Sequence, residues 1–145
     1  MAYSYYNPNP VGRFVEDCVP RALAKALDTD WETAKVLISN ASFKMGNMEN
    51  GDDVWGAVLR QHGFYREIIP NECPDCYTVE DFCNDHQSGT YVLSCSRHVC
   101  TVKDGVVYDA WDSRSEIPEY YWYKKERDNN GNDIARNSVR SSSAK

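Results

Sequence analysis

No stretch of this 145-residue chain is apolar for long enough to cross a bilayer. Its opening residues, Met1 to Pro8, hold neither a basic patch nor an apolar segment, so a secretory signal peptide is not expected. A cytoplasmic setting follows as the expectation, with the six cysteines as reduced thiols rather than disulfides. Net positive charge is missing too. The balance is −6 at pH 7, and phosphate contacts need a cationic surface, which argues against a dedicated nucleic-acid binder. Internal repeats and low-complexity runs are likewise lacking. What remains is an ordinary globular composition, 41% hydrophobic, at a length that suits one domain with its own core.

Helical spacing appears first. Val19, Leu23, Ala24 and Leu27 recur on one face of a segment running from Asp17 to Leu27. Asp17 is a suitable N-cap, and Pro20 fits only the first turn, where no backbone N–H is needed. Cys18 is thereby placed at the start of a helix. A second helix is expected over 31–43, capped by Asp28, Thr29 or Asp30, and a third over 53–62, ended by Gly63. Residues 66–69 read as a short strand. Thr78-Val79-Glu80-Asp81 resembles a capping box opening a short helix, with Asp in place of Glu at its last position.

After Ser88-Gly89 the pattern turns β-prone: 90–95, then 98–103, then 106–110, with Asp104-Gly105 between the last two. That dipeptide is a strong hairpin signal, since both residues tolerate positive φ. Residues 116–123 read as an irregular aromatic strand, and 124–145 as a solvated, disordered tail holding six basic and three acidic residues. Helices first and strands last predict an α+β fold, with the helices packed on a C-terminal antiparallel sheet.

The turn fixes a register in which Cys100 faces Asp109 and His98 faces Trp111, so that all four share one face. Asp109 is then the diagonal neighbour of His98, roughly 7–8 Å away along the backbones and within reach of its side chain. Asp112 points to the opposite face and Asp104 is consumed by the turn. A nucleophilic thiol needs a base, an orienter for that base, and donors for the oxyanion. Cys18 at a helix N-terminus, His98 on a rigid hairpin and Asp109 beside it meet the first two needs. The backbone N–H of Cys18 is a natural oxyanion donor.

Asp17-Cys18 opening a helix, and His98-Val99-Cys100-Thr101-Val102 followed by Asp109-Ala110-Trp111, resemble the papain-like cysteine peptidases. The Asp-Cys pair is similar to that of peptidase domains that trim bacteriocin leaders. The string from Asn9-Pro10 to Asp112 also resembles small papain-like proteins of gut bacteria and their phages, a likeness covering roughly residues 7–123. The resemblance implies a catalytic domain over 1–123, with Asp109 in the role of the family's Asn and Trp111 as the shield of the His–Asp hydrogen bond. It also implies a side-chain oxyanion donor six residues before the nucleophile, where the family has Gln and this chain has Gly12. Asn9, with Asn7 behind it, is the substitute considered.

Blander roles compete. Cys18 could be a small buried thiol, His98 a surface strand residue, Asp109 an ordinary strand-end acid, Trp111 core, and Asn9 a turn residue before Pro10. Cys100 is a rival nucleophile without the helix-start activation. His62 and His86 read as surface residues. Cys73 and Cys76 form a C-x-x-C, and Cys83 with His86 could complete a tetrahedral zinc set, but the spacing is unfamiliar and loop and core thiols are the default. No metal or cofactor is called for. The leading expectation is a cysteine hydrolase of amide, isopeptide or thioester bonds acting on a peptide or protein. Alternatives are an acyltransferase or transglutaminase-type enzyme, or a non-catalytic scaffold used as a phage or bacterial binding or inhibitory protein.

Overall fold

A computed structural model describes residues 2–70 and 76–124. The expected 125–145 part of the tail, and Cys73, lie outside the described residues. In chain order the elements are β1 (Tyr3–Tyr5), α1 (Cys18–Ala26), α2 (Trp31–Met45), α3 (Asp52–Gln61), β2 (Phe64–Ile68), α4 (Val79–Asp85), β3 (Thr90–Cys95), β4 (His98–Lys103), β5 (Val106–Asp109) and β6 (Pro118–Lys124). The α+β class holds. Lys124, expected in the tail, is the last residue of β6.

Local chemistry sets most boundaries. Asp30 caps α2 by accepting from the Thr33 N–H at 2.7 Å, and Gly46 ends it in the left-handed region at φ 66°. Thr78 and Asp81 complete a reciprocal capping box at the start of α4, so the shorter acid serves where Glu is usual. Asp104 and Gly105, at φ 50° and 78°, form the tight turn between β4 and β5.

The sheet differs from the expected all-antiparallel, C-terminal one. Its order is β1-β5-β4-β3-β6-β2, so the N-terminal β1 and the central β2 both join it. β1 runs parallel to β5, with Tyr5 beside Asp109, fixed by Val107 N–H to Ala2 O and Tyr6 N–H to Asp109 O, both 2.8 Å. β6 is an inner strand between β3 and β2, irregular where its register shifts opposite Ser94 and Cys95. Pro118 opens it, where a missing N–H is tolerated.

Both sheet faces are buried. Val92, Val99 and Trp122 pack with α1, α2 and α3, while Leu93, Cys100, Val102, Val107 and Tyr121 pack with Val79, Phe82 and Cys83 of α4. Adjacent residues such as Val99 and Cys100 go to different cores, as strand alternation requires. Thr101 ties β4 to α1 through its hydroxyl, which donates to the Ala22 carbonyl at 2.7 Å. This fixes the end of the sheet that carries His98 relative to the helix that carries Cys18. No helix among the described residues is long and apolar enough to cross a membrane.

Candidate active site

Cys18 is the first residue of α1 and is partly exposed. Asp17 occupies the N-cap position at φ −114°, yet its side chain caps nothing. Its buried carboxylate accepts instead from Arg21 Nη1 at 2.6 Å, Trp31 Nε1 at 3.0 Å and Asn9 Nδ2 at 3.4 Å. The expected cap is thus overruled by tertiary partners. Because Pro20 has no N–H, the orphan donors of this helix end are those of Cys18 and Val19, and neither has an acceptor among the described residues.

His98 begins β4 and Asp109 ends β5. The ladder between them is Thr101 with Tyr108, Val102 with Val107 and Lys103 with Val106, the register the turn predicts. The His98 Nε2–H donates to Asp109 Oδ2 at 2.5 Å, which leaves the other ring nitrogen for the thiol; His98 and Cys18 line the same cleft, close enough that each shifts the other's ionisation. Asp109 is fully buried and also accepts from Arg21 Nε at 3.1 Å, Ser113 Oγ at 2.8 Å and its own neighbour Ala110 N–H at 2.8 Å. A carboxylate in that position is tolerable only with such a shell of donors.

The electrostatics follow. Burial is the largest influence on the Cys18 thiol and opposes ionisation, but hydrogen bonds from His98 and the Val99 backbone, with the charges of His98 and Arg21, outweigh it and lower its pKa. Burial likewise opposes a charged His98, and the hydrogen bonds and charges of Asp109 and Cys18 reverse that, pushing it up to about 9. Asp109 is held below the usual carboxylate range despite its burial, chiefly by His98, with Ser113 and Arg21 adding to it. A thiol moved down beside an imidazole moved up favours transfer of the thiol proton to the ring.

Trp111 reaches His98 by a different route from the one expected. β5 stops at Asp109, so Trp111 is not its strand partner; it lies in the bend beyond, with its ring 4.5 Å from the His98 ring. Asp112 turns to Arg114 at 2.7 Å. Asn9 is built into the loop before α1: its Oδ1 accepts from the Val11 and Arg13 N–H groups, and its amide faces Asp17 rather than the cleft. The rival Cys100 is buried, and a hydrogen bond with Cys95 and its own burial hold its thiol protonated.

The zinc alternative gains nothing from the described partners. Cys83 is buried and directs its thiol at the Ala2 carbonyl, and burial pushes its pKa up to about 11. His86, expected at the surface, is buried and stacked on Phe82 at 3.9 Å between ring centres. Its Nδ1 is bonded to the Phe82 carbonyl. Among the described residues no group of three or more His, Cys, Asp or Glu is arranged to hold a metal ion.

An open cleft of about 1090 Å³ exposes the thiol, with Phe14, Val15, Trp31, Arg97, His98 and Trp111 among its walls. The chain matches no family model, no curated protein and no solved structure. Its functional reading rests on this geometry.

Sequence reasoning missed Arg21, Trp31 and Ser113 as parts of the site. For Arg21 a signal existed: it lies four residues after Asp17 and three after Cys18, where helical side chains meet. For Ser113 and Trp31 no local pattern marks the contact.

Proposed function

We propose that the protein is a cysteine-dependent hydrolase of amide, isopeptide or thioester bonds, most simply a small peptidase of papain-like arrangement. The observation that carries this reading is the His98 ring bonded to the buried Asp109 at 2.5 Å and set in one cleft with the Cys18 thiol, near enough for each to shift the other's pKa. The Cys18 thiolate attacks a substrate carbonyl carbon. The oxyanion that forms is met by the Cys18 and Val19 N–H groups at the helix N-terminus, where the dipole favours negative charge. His98 gives its proton to the leaving amine or thiolate as the bond breaks. In the acyl-enzyme His98 is neutral and takes a proton from water, whose oxygen attacks the thioester. Collapse releases a carboxylic acid and returns the thiolate–imidazolium pair. Asp109 keeps the imidazole in the required tautomer throughout, and Trp111 covers one flank of the ring.

The test is alkylation by iodoacetamide followed by site-resolved mass spectrometry. Cys18 is expected to react at least about 10-fold faster at pH 7 than a free thiol of ordinary pKa, and to lose that advantage in His98→Ala. Labelling of Cys18 no faster than an unactivated thiol sinks the hydrolase.

One observation favours a second reading, a papain-like scaffold that binds without turnover. The Asn9 amide is bonded to Asp17 and Gly12 offers no side chain, so neither of these positions supplies a side-chain oxyanion donor to the cleft. In that case Cys18 labels rapidly, yet no acyl-enzyme accumulates with an activated ester such as a p-nitrophenyl ester.

A further inference from the structure

The charge around the thiol is unequal. Among the charged residues lining the cleft, Asp17 and Arg21 neutralise one another at 2.6 Å, and Lys35 holds Glu49 at 2.6 Å. Outside the Cys18–His98 pair, this leaves Glu16, Asp52, Glu116 and Glu119 set against Arg97. The Glu16, Glu116 and Glu119 carboxylates make no hydrogen bond or ion pair with any described residue.

The fold sets the backbone of Glu116 and Glu119 and holds Asp52 by a hydrogen bond. Ser94 pairs with Tyr120 and Cys95 with Pro118, so Glu119 is the extra residue of a bulge in β6. Bulges re-aim side chains, and this one brings Glu119 to the cleft. Asp52 opens α3, where a negative charge is favoured, and is held by the Tyr120 hydroxyl at 2.9 Å. The backbone of Glu116 is pinned on both sides, its N–H to Ser113 O at 3.1 Å and its carbonyl to Val79 N–H at 2.9 Å. Glu16 stands two residues before the nucleophile. Acids fixed in one concavity with low-dielectric walls focus a negative potential at its mouth and concentrate cations there. The apolar Phe14 and Val15, both exposed beside them, suit the stem of a long basic side chain.

We propose that the Cys18 cleft takes a cationic substrate, a peptide segment carrying lysine or arginine beside the bond attacked. This rests on the reading of Cys18 as the nucleophile. The acids supply the recognition, and Cys18 with His98 supplies the chemistry.

The experiment measures the rate at which Cys18 reacts with three reagents: neutral iodoacetamide, cationic aminoethyl methanethiosulfonate and anionic sulfonatoethyl methanethiosulfonate. Modification is read at Cys18 by mass spectrometry. The cation-to-anion rate ratio is divided by that of free mercaptoethanol, which removes the intrinsic preference of any thiolate. The expected quotient is about 10 or more at low salt, the lower end of what electrostatic focusing provides. It is expected to fall several-fold in the Glu116→Gln/Glu119→Gln double variant, and toward one near 1 M salt, where the screening length is about 3 Å. Each ratio is internal to one protein, so a change in overall reactivity does not disturb it. A quotient near one with fast iodoacetamide labelling overturns the cationic substrate and leaves the nucleophile standing. Slow iodoacetamide labelling overturns both.

Discussion

Arg21 and His98 share the two oxygens of one buried carboxylate: Arg21 Nε donates to Asp109 Oδ1 at 3.1 Å while His98 Nε2 donates to Oδ2 at 2.5 Å. The same guanidinium reaches Asp17 at 2.6 Å, so a permanent cation links the start of the Cys18 helix to the carboxylate bonded to His98. Buried between two carboxylates, Arg21 offsets part of their charge and fixes the approach of α1 to β5.

Replacing Arg21 with Met therefore leaves Asp17 and Asp109 buried without their common cation. The expected loss in urea unfolding is about 3–5 kcal/mol, the range for breaking a buried ion pair. The Cys18 pKa is expected to rise as well, because the Arg21 charge is one of the influences that lower it. Arg21→Lys keeps the charge but not the planar fork, and recovers only part of both. A loss below about 1 kcal/mol in Arg21→Met would show that the network contributes little.

Reactivity against pH gives a separate check on the pair. The Cys18 thiol is lowered and His98 is raised to about 9, so His98 is protonated across the neutral range and Cys18 ionises at lower pH than an ordinary thiol. Alkylation of Cys18 is expected to reach its plateau at lower pH than that of an ordinary thiol. In the proposed mechanism turnover needs the His98 proton for the leaving group, and is expected to decline as pH passes about 9. Asp109→Asn removes the charge that supports the imidazolium, so the alkaline limb moves to lower pH and labelling at pH 7 slows. A labelling curve that climbs through pH 8.5 as a free thiol does would contradict the ion pair.

Linkage makes the stability of the wild type and of Cys18→Ser diverge. The raised His98 pKa contributes stability that is full below the unfolded value near 6.5 and is lost as pH rises through about 9. The lowered Cys18 pKa contributes stability that is full above the unfolded thiol value and is lost as pH falls through the folded one. Between the lowered Cys18 value and about 9 the two slopes oppose each other, since His98 binds a proton on folding where Cys18 releases one. In Cys18→Ser only the imidazole contribution remains, held by Asp109. The variant is expected to lose stability relative to the wild type as pH rises over that interval, read as the difference in urea midpoints. Parallel midpoints from pH 6 to 9 would mean the two groups do not titrate together.

How much of this was legible follows from which signals are local. The helices showed in their apolar spacing, and Asp104-Gly105 fixed the register that brings Asp109 to His98. That reasoning then extended the ladder too far, because nothing in Ala110-Trp111 signals that β5 has ended. β1 was invisible: Tyr3-Ser4-Tyr5 is too short to show alternation, and it pairs in parallel with a strand about a hundred residues later. Asp17 has the right chemistry for a cap, and only its tertiary neighbours Arg21 and Trp31 explain why it does not act as one. The i,i+4 spacing of Asp17 and Arg21 could be read, but not their burial, nor the arrival of Asp109 beside them.

Gly56 tests how closely α3 can approach the sheet. A Cβ there would stand 2.8 Å from Cζ2 and 3.4 Å from Cη2 of Trp122. Trp122 is itself buried, edge-on to Trp55 and covered by the Arg60 guanidinium at 5.3 Å, so it has little room to withdraw. Alanine improves helix propensity by about 1 kcal/mol, whereas overpacking a dense core costs about 1–3 kcal/mol. Gly56→Ala is therefore expected to lower stability by up to about 2 kcal/mol in urea unfolding. In a Trp122→Phe background the indole atoms that meet the new methyl are gone, so the same change is expected to be neutral or stabilising there, with a coupling of about 1 kcal/mol or more. If Gly56→Ala stabilises the wild type as it does the Trp122→Phe variant, the glycine is not what sets the distance between α3 and β6.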